Sequence, residues 1–166
     1  MAPPKSSNTP SSSVQRAVLA MQIIFNPNVA LAAGHISGVK DAASAGDNVV
    51  ESLFLMRAQR SCYENAPCGD VGLSLALMQG MIELAKIYQY EISEIAGGSH
   101  SKGSRHYAGV AMDVTKINGQ GVSTKNKLVG PFMKKCKSLG ATEVLGPGHA
   151  GHSGHIHAAW PRPKSR

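Results

Sequence analysis

The placement of the imidazoles constrains this chain more than any other feature. Four of its seven histidines lie between positions 149 and 157, and a fifth, His106, sits within Ser104-Arg105-His106-Tyr107-Ala108-Gly109-Val110-Ala111-Met112-Asp113. Gly109 to Ile117 reads as a strand, because Val110, Met112 and Val114 alternate with Ala111 and Asp113. Asp113, Ala111 and Gly109 then share one face, where the small residues leave a hollow beside the carboxylate. His106 lies just before the strand, where it can fold over that hollow. Gly154 to Trp160 reads as a second strand, with His155 and His157 on one face and Ile156 turned to the core. If the two segments meet, a pair of imidazoles stands beside a carboxylate and a third imidazole.

That donor set is the one from which a catalytic zinc site is made, three protein ligands with the fourth position left for water. The clustering points to metal binding, although each histidine taken alone reads as an ordinary surface or core residue. His35 keeps that plain reading. For His149 and His152, in a Gly-rich loop, a cleft-lining and a merely exposed placement both stand.

The remainder reads as a scaffold of α+β class, a small antiparallel sheet with flanking helices. Val49, Val50, Leu53, Leu55 and Met56 mark an amphipathic helix over 47–59, followed by a loop over 61–72 that contains Pro67, Gly69 and Gly72. Ser74 is placed to cap a second, broadly apolar helix running to Ile87. A strand is expected over 90–95 and a glycine-rich loop over 97–104. This loop lacks both the GxGxxG and GxxxxGK patterns of phosphate cradles. Asn118-Gly119 closes the strand that carries Asp113. A third helix is expected over 124–139, entered or kinked at Pro131 and ended by Gly140, then short strands over 142–145 and 154–160. Residues 29–40 show no clear period and read as an irregular lead-in.

Length and composition narrow the partners. The 166 residues suit one domain, here 14–162, between a Pro/Ser-rich tail (1–13) and a short basic tail (163–166). No apolar run approaches the roughly 18 residues of a membrane span, so no membrane insertion is expected and the domain reads as a soluble monomer. The run from Ala17 to Phe25 is short, carries Gln22 and is stopped by Asn26-Pro27-Asn28, unlike a cleavable signal. A net charge of +7 favours anionic partners, but aromatic residues are only 5% and offer little for bases to stack on, so nucleic acid is not expected. Cys62 and Cys68, around Pro67, stand either as a local disulfide, which implies an oxidising compartment, or as two free thiols.

The run Ser104-x-His106-x-x-Gly109-x-Ala111-x-Asp113 matches the SxHxxGxAxD signature of the zinc DD-peptidases at every specified position, and His155-x-His157 matches their second signature, HxH. Over about 97–160 the chain resembles D-alanyl-D-alanine carboxypeptidases, murein endopeptidases and phage endolysins, which share a fold with the Hedgehog signalling domain. The resemblance implies Zn2+ held by His106, Asp113 and His157, with His155 as the base or as the imidazole that stabilises the transition state. The exchange of roles between His155 and His157 stays open at this point. Arg60, Arg105, Lys102 and His100 are the candidates to stabilise the oxyanion or hold substrate, and Ser104 to order the ligand loop or simply form its turn. Some members carry Glu three residues before the last ligand, where this chain has Gly154; Glu143 is the only downstream carboxylate and is not assigned. The implied partner is peptidoglycan or its peptides, cut next to D-amino acids at the bacterial cell wall, reached by export or by release as a lysin. The alternative is a zinc-containing binding module of the same fold without catalysis.

Overall fold

A computed structural model describes residues 11–162, which excludes most of the expected tail 1–13 and all of the tail 163–166. Ser12 and Ser13, counted with the tail from their composition, instead form the first turn of helix α1 (Ser12–Ile24), whose N-cap Ser11 accepts the Val14 N–H. Ala20 and Ile23 bury one side of α1. Helix α2 (Ala45–Leu53) starts with a reciprocal capping box between Ser44 and Asp47. It ends sooner than its apolar spacing suggests. Leu55 takes a left-handed backbone, and the chain then enters β2 (Ala58–Gln59), paired with β3 (Asp70–Val71). Helix α3 (Leu75–Ala85) is capped by Ser74, as its sequence signals.

The main sheet joins β1 (Val29–Leu31), β4 (Tyr90–Glu94), β5 (Ala111–Ile117), β8 (Ile156–Ala159) and β7 (Glu143–Leu145), in that spatial order; β6 (Gln120–Gly121) returns on β5 through the Asn118-Gly119 turn. Two expectations change here. Val29–Leu31 is a strand and not an irregular lead-in, and it runs parallel to β4, so the sheet is mixed and not purely antiparallel. Three residues are too few to show an alternation, and their ladder partner lies some sixty positions away, so local pattern carries no trace of the pairing. The fourth helix, α4 (Val129–Ser138), expected over 124–139, is also shorter than its spacing suggests. Pro131 stands in its first turn, where its missing N–H costs no helical hydrogen bond.

One face of the sheet is core. Ile92, Met112, Val114, Ile156 and Ala158 pack there with Leu77, Met78, Met81 and Leu84 of α3, and with Phe132 of α4. Tyr90 keeps its ring in this core while its hydroxyl donates to the Met81 carbonyl at 2.7 Å. Trp160, 1% exposed, donates Nε1–H to the Leu139 carbonyl at 3.0 Å and packs directly against Gly80. The opposite face carries Asp113 and His157. No helix among the described residues is long and apolar enough to cross a membrane.

A β-carbon on Gly80 would fall 2.3 Å from Trp160 Cζ2. Gly80→Ala should therefore destabilise by about 1–3 kcal/mol through overpacking, outweighing the ~1 kcal/mol that alanine contributes to a helix interior. Urea unfolding followed by Trp160 fluorescence measures it, and an unchanged or raised midpoint would contradict this packing.

Candidate metal centre

Strand pairing brings the distant segments together. Asp113 and His157 are direct partners in the β5–β8 ladder, so their side chains emerge side by side on the face away from the core. His106 arrives from the short 3₁₀ turn His106–Ala108. Gly109 ends that turn with φ +66°, and a β-carbon there would meet the Gly72 carbonyl oxygen at 2.8 Å. Glycine is required at this bend for both reasons.

The three side chains converge on one point. His106 Nε2 lies 3.2 Å from Asp113 Oδ1 and 3.0 Å from His157 Nδ1, and His157 Nδ1 lies 3.0 Å from Asp113 Oδ1. A tetrahedral zinc ion with bonds of about 2.0–2.1 Å places its ligands roughly 3.3 Å apart, close to these edges. The outer nitrogens fix which atom of each ring faces inward. His106 Nδ1 donates to the Ile95 carbonyl at 2.6 Å, and His157 Nε2 donates to Glu143 Oε1 at 3.1 Å, so each ring, when neutral, presents its lone pair to the shared point. Two lone pairs and a carboxylate oxygen, all buried, then face one another with no hydrogen between them. Such a trio needs a cation or a proton in its midst, and its geometry fits a metal ion.

Titration follows from this crowding. Burial raises the Asp113 carboxyl, but the His106 and His157 imidazoles outweigh it and hold the group far below the usual carboxylate range. Burial disfavours the charged form of His106, yet Asp113 raises that ring above its ordinary value. Burial takes His100 down to about 4, with His106 adding to the effect. His155 is lowered too, first by burial and then by neighbouring imidazoles, against the pull of Asp113. At neutral pH, His100 and His155 are therefore free bases.

The expected residues divide by position. A cleft of about 460 Å³ opens over the trio, lined also by Lys102, Arg105, His100, Glu143, His152 and His155. His155 Nε2 stands 3.9 Å from Asp113 Oδ2, beyond hydrogen-bond length. Of the two rings of the HxH pair, then, His157 belongs to the convergent set and His155 flanks it. His100, His106 and Asp113 also bring ligand atoms within 4.8 Å of one another. However, the His100 and His106 rings are stacked 4.0 Å apart at 7°, and lone pairs in parallel planes cannot converge without a tilt. His100 Nε2 instead faces the Gly97 carbonyl at 3.0 Å. Ser104 Oγ accepts the His106 backbone N–H at 3.3 Å and shapes the ligand turn. Arg60 does not line the cleft: its Nη1 donates to the Tyr107 carbonyl at 3.2 Å, behind the ligand turn. His149 folds back on Gly146 of its own loop, while His152 lines the cleft.

Glu143 is the residue that sequence reasoning left unassigned. Its strand carries a readable signal, because Val144 is buried between Glu143 and Leu145, and Leu145 pairs with His157. Glu143 is thus a diagonal neighbour of His157 on the same face. Cys62 and Cys68 form a disulfide, with Cα atoms 4.4 Å apart. Beside that loop His35 is buried, its Nδ1 2.7 Å from Glu94 Oε2 and its Nε2 2.7 Å from Asp41 Oδ1. In comparisons with known proteins the chain matches no family model, no curated protein and no solved structure.

The His35 cluster gives a pH expectation. Burial lowers His35, but hydrogen bonds to Asp41 and Glu94 overcome it and raise the ring; Asp41, despite burial, is lowered by His35. A raised histidine contributes stability that is complete below its unfolded value, about pH 6.5, and is lost as pH rises through the folded value. A lowered aspartate contributes above roughly pH 4 and loses that contribution on acidification. Burial raises Glu94, which also weights stability toward the acid side. His35→Gln should therefore cost more stability at pH 6 than at pH 8.5. Paired urea titrations at the two pH values check this, and an equal loss at both would contradict a charged His35.

Proposed function

We propose that this chain is a zinc-dependent peptidase of the DD-peptidase type, with a Hedgehog-like fold, that cuts peptide bonds next to D-amino acids in peptidoglycan stem peptides. The observation that carries the reading is the meeting of His106, Asp113 and His157 at mutual distances of 3.0–3.2 Å. The two sequence signatures support it, and so does the cleft above the trio. His106 Nε2, Asp113 Oδ1 and His157 Nδ1 would hold the ion. When bound, zinc lowers the pKa of water and polarises a carbonyl.

The chain's own groups supply the rest. His155 Nε2 is a neutral base beside the trio, placed to accept a proton from the attacking water and return it to the leaving amine nitrogen. Glu143 holds the Nε2–H of His157, which keeps the Nδ1 lone pair of that ring turned inward. Arg105 and Lys102 line the same cleft, where their charges attract an anionic peptide and stand ready to stabilise an oxyanion. Carboxypeptidase and lysin-type endopeptidase activities use this same set of groups. The +7 charge suits an anionic wall.

The test is metal analysis of the purified protein together with mass spectrometry of murein digests, with and without chelator. Zinc-dependent release of stem-peptide fragments is expected. His106→Ala and Asp113→Ala should lose metal and activity together. His155→Ala should keep the zinc held by His106, Asp113 and His157 while activity falls about 10²–10⁴-fold; loss of that ion would reverse the roles of His155 and His157. Full zinc occupancy without any cleavage would leave the non-catalytic binding module as the reading.

Glu143→Ala should weaken zinc affinity about 10–100-fold, as loss of a ligand's carboxylate partner does elsewhere. A competition titration against a chromophoric chelator measures this. Unchanged affinity would show that Glu143 does not support His157.

A further inference from the structure

The two oxygens of Asp113 face different histidines. Oδ1 points to His106 and His157, whereas Oδ2 is the oxygen nearest His155, 3.9 Å from its Nε2. His155 has a second imidazole beside it. The His152 and His155 ring centroids are 4.8 Å apart, tilted by 45°, and both rings line the cleft. His152 Nδ1 donates to the Ala150 carbonyl at 2.8 Å, which leaves the lone pair on its Nε2. The His152 ring also stands 6.0 Å from that of His157, so it lies on the rim of the inner set of His106, His157 and Asp113 Oδ1, where His155 and Asp113 Oδ2 face it as an outer set.

We propose that the outer set is a second zinc site, with Asp113 as the carboxylate bridging two ions. Carboxylate-bridged pairs hold their ions roughly 3.5–4 Å apart, a spacing that the two oxygens of one aspartate span. The Asp113–His155 edge is wider than the roughly 3.3 Å of a tetrahedral site. A modest swing of His155 closes it. His155 precedes β8, and His152 stands between Gly151 and Gly154 in an open loop, so neither ring is locked in the core. Imidazole and carboxylate donors suit zinc at this position as they do at the inner one.

The outer ion has a functional consequence that rests on the peptidase reading. It occupies the lone pair of His155 that would otherwise accept the proton, so the second ion inhibits. Zinc should activate up to about one equivalent per chain and suppress hydrolysis as about a second is bound.

Equilibrium dialysis of the full chain against zinc, followed by metal quantification, tests the site. The wild-type protein should bind about two ions and His152→Ala about one. Substitution by cobalt(II) should give exchange coupling between two bridged ions in the wild type, absent from His152→Ala. One ion in the wild type overturns the second site and leaves the inner one standing. Two ions in both proteins, loss of both ions in His152→Ala, or two uncoupled cobalt ions in the wild type also overturn it. No ion in the wild type sinks the metal reading altogether, an outcome distinct from the others.

Discussion

The arrangement depends on one constraint: three buried polar atoms, His106 Nε2, Asp113 Oδ1 and His157 Nδ1, are held about 3 Å apart and must share a proton or a cation. Unpartnered polar atoms in a dry environment are costly, and lone pairs that face each other add repulsion. The chain opposes this by fixing every member from behind. The Ile95 carbonyl holds His106, Glu143 holds His157, and the β5–β8 ladder sets the distance between Asp113 and His157. A cation at the shared point turns that repulsion into coordination. The same ring of supports that crowds the three atoms also preorganises them.

Register carries much of this burden. Along β8, Ile156 and Ala158 face the core while His157 faces the cleft, and along β5, Met112 and Val114 flank Asp113 in the same way. A one-residue slip would put Ile156 in the site and bury His157 among Met112, Val114 and Trp160. The apolar residues therefore specify the site as firmly as its ligands do. Trp160 anchors the end of β8: its backbone N–H donates to the Val110 carbonyl and its indole to the Leu139 carbonyl.

Legibility in the sequence followed the range of the interactions. Ser74 and the apolar face after it announce α3, because a cap and a helical period are local. The faces of Asp113 and His157 could be read from alternation alone. β1 could not, since three residues hold no period and their partner is β4. Helix ends were overextended for a related reason. Leu55 and Met56 continue the apolar spacing of α2, but the backbone turns left-handed at Leu55 and both side chains are exposed. Arg60 looked available to a cleft because it is polar and lies in a loop. Its guanidinium instead ties that loop to the ligand turn, a contact across 47 positions. Glu143 shows the opposite case: alternation in β7 marks its face, but only the β7–β8 adjacency shows that the face belongs to the site.

The cleft also shows how the loop that bears His100 is kept in place without regular structure. A β-carbon on Gly97 would fall 1.9 Å from the Ala43 carbonyl oxygen, so this loop lies directly against the segment before α2. Gly98 donates its N–H to Ser61 Oγ, beside the disulfide loop, and Ser61 in turn lies 3.3 Å from His35 Nε2. His35, between Glu94 and Asp41, joins that segment to the end of β4, one residue before the Ile95 carbonyl that orients His106. His35, an ordinary residue on its local pattern, thus belongs to the frame behind His106. It keeps apart from the cleft while fixing the strand end on which the orientation of His106 depends.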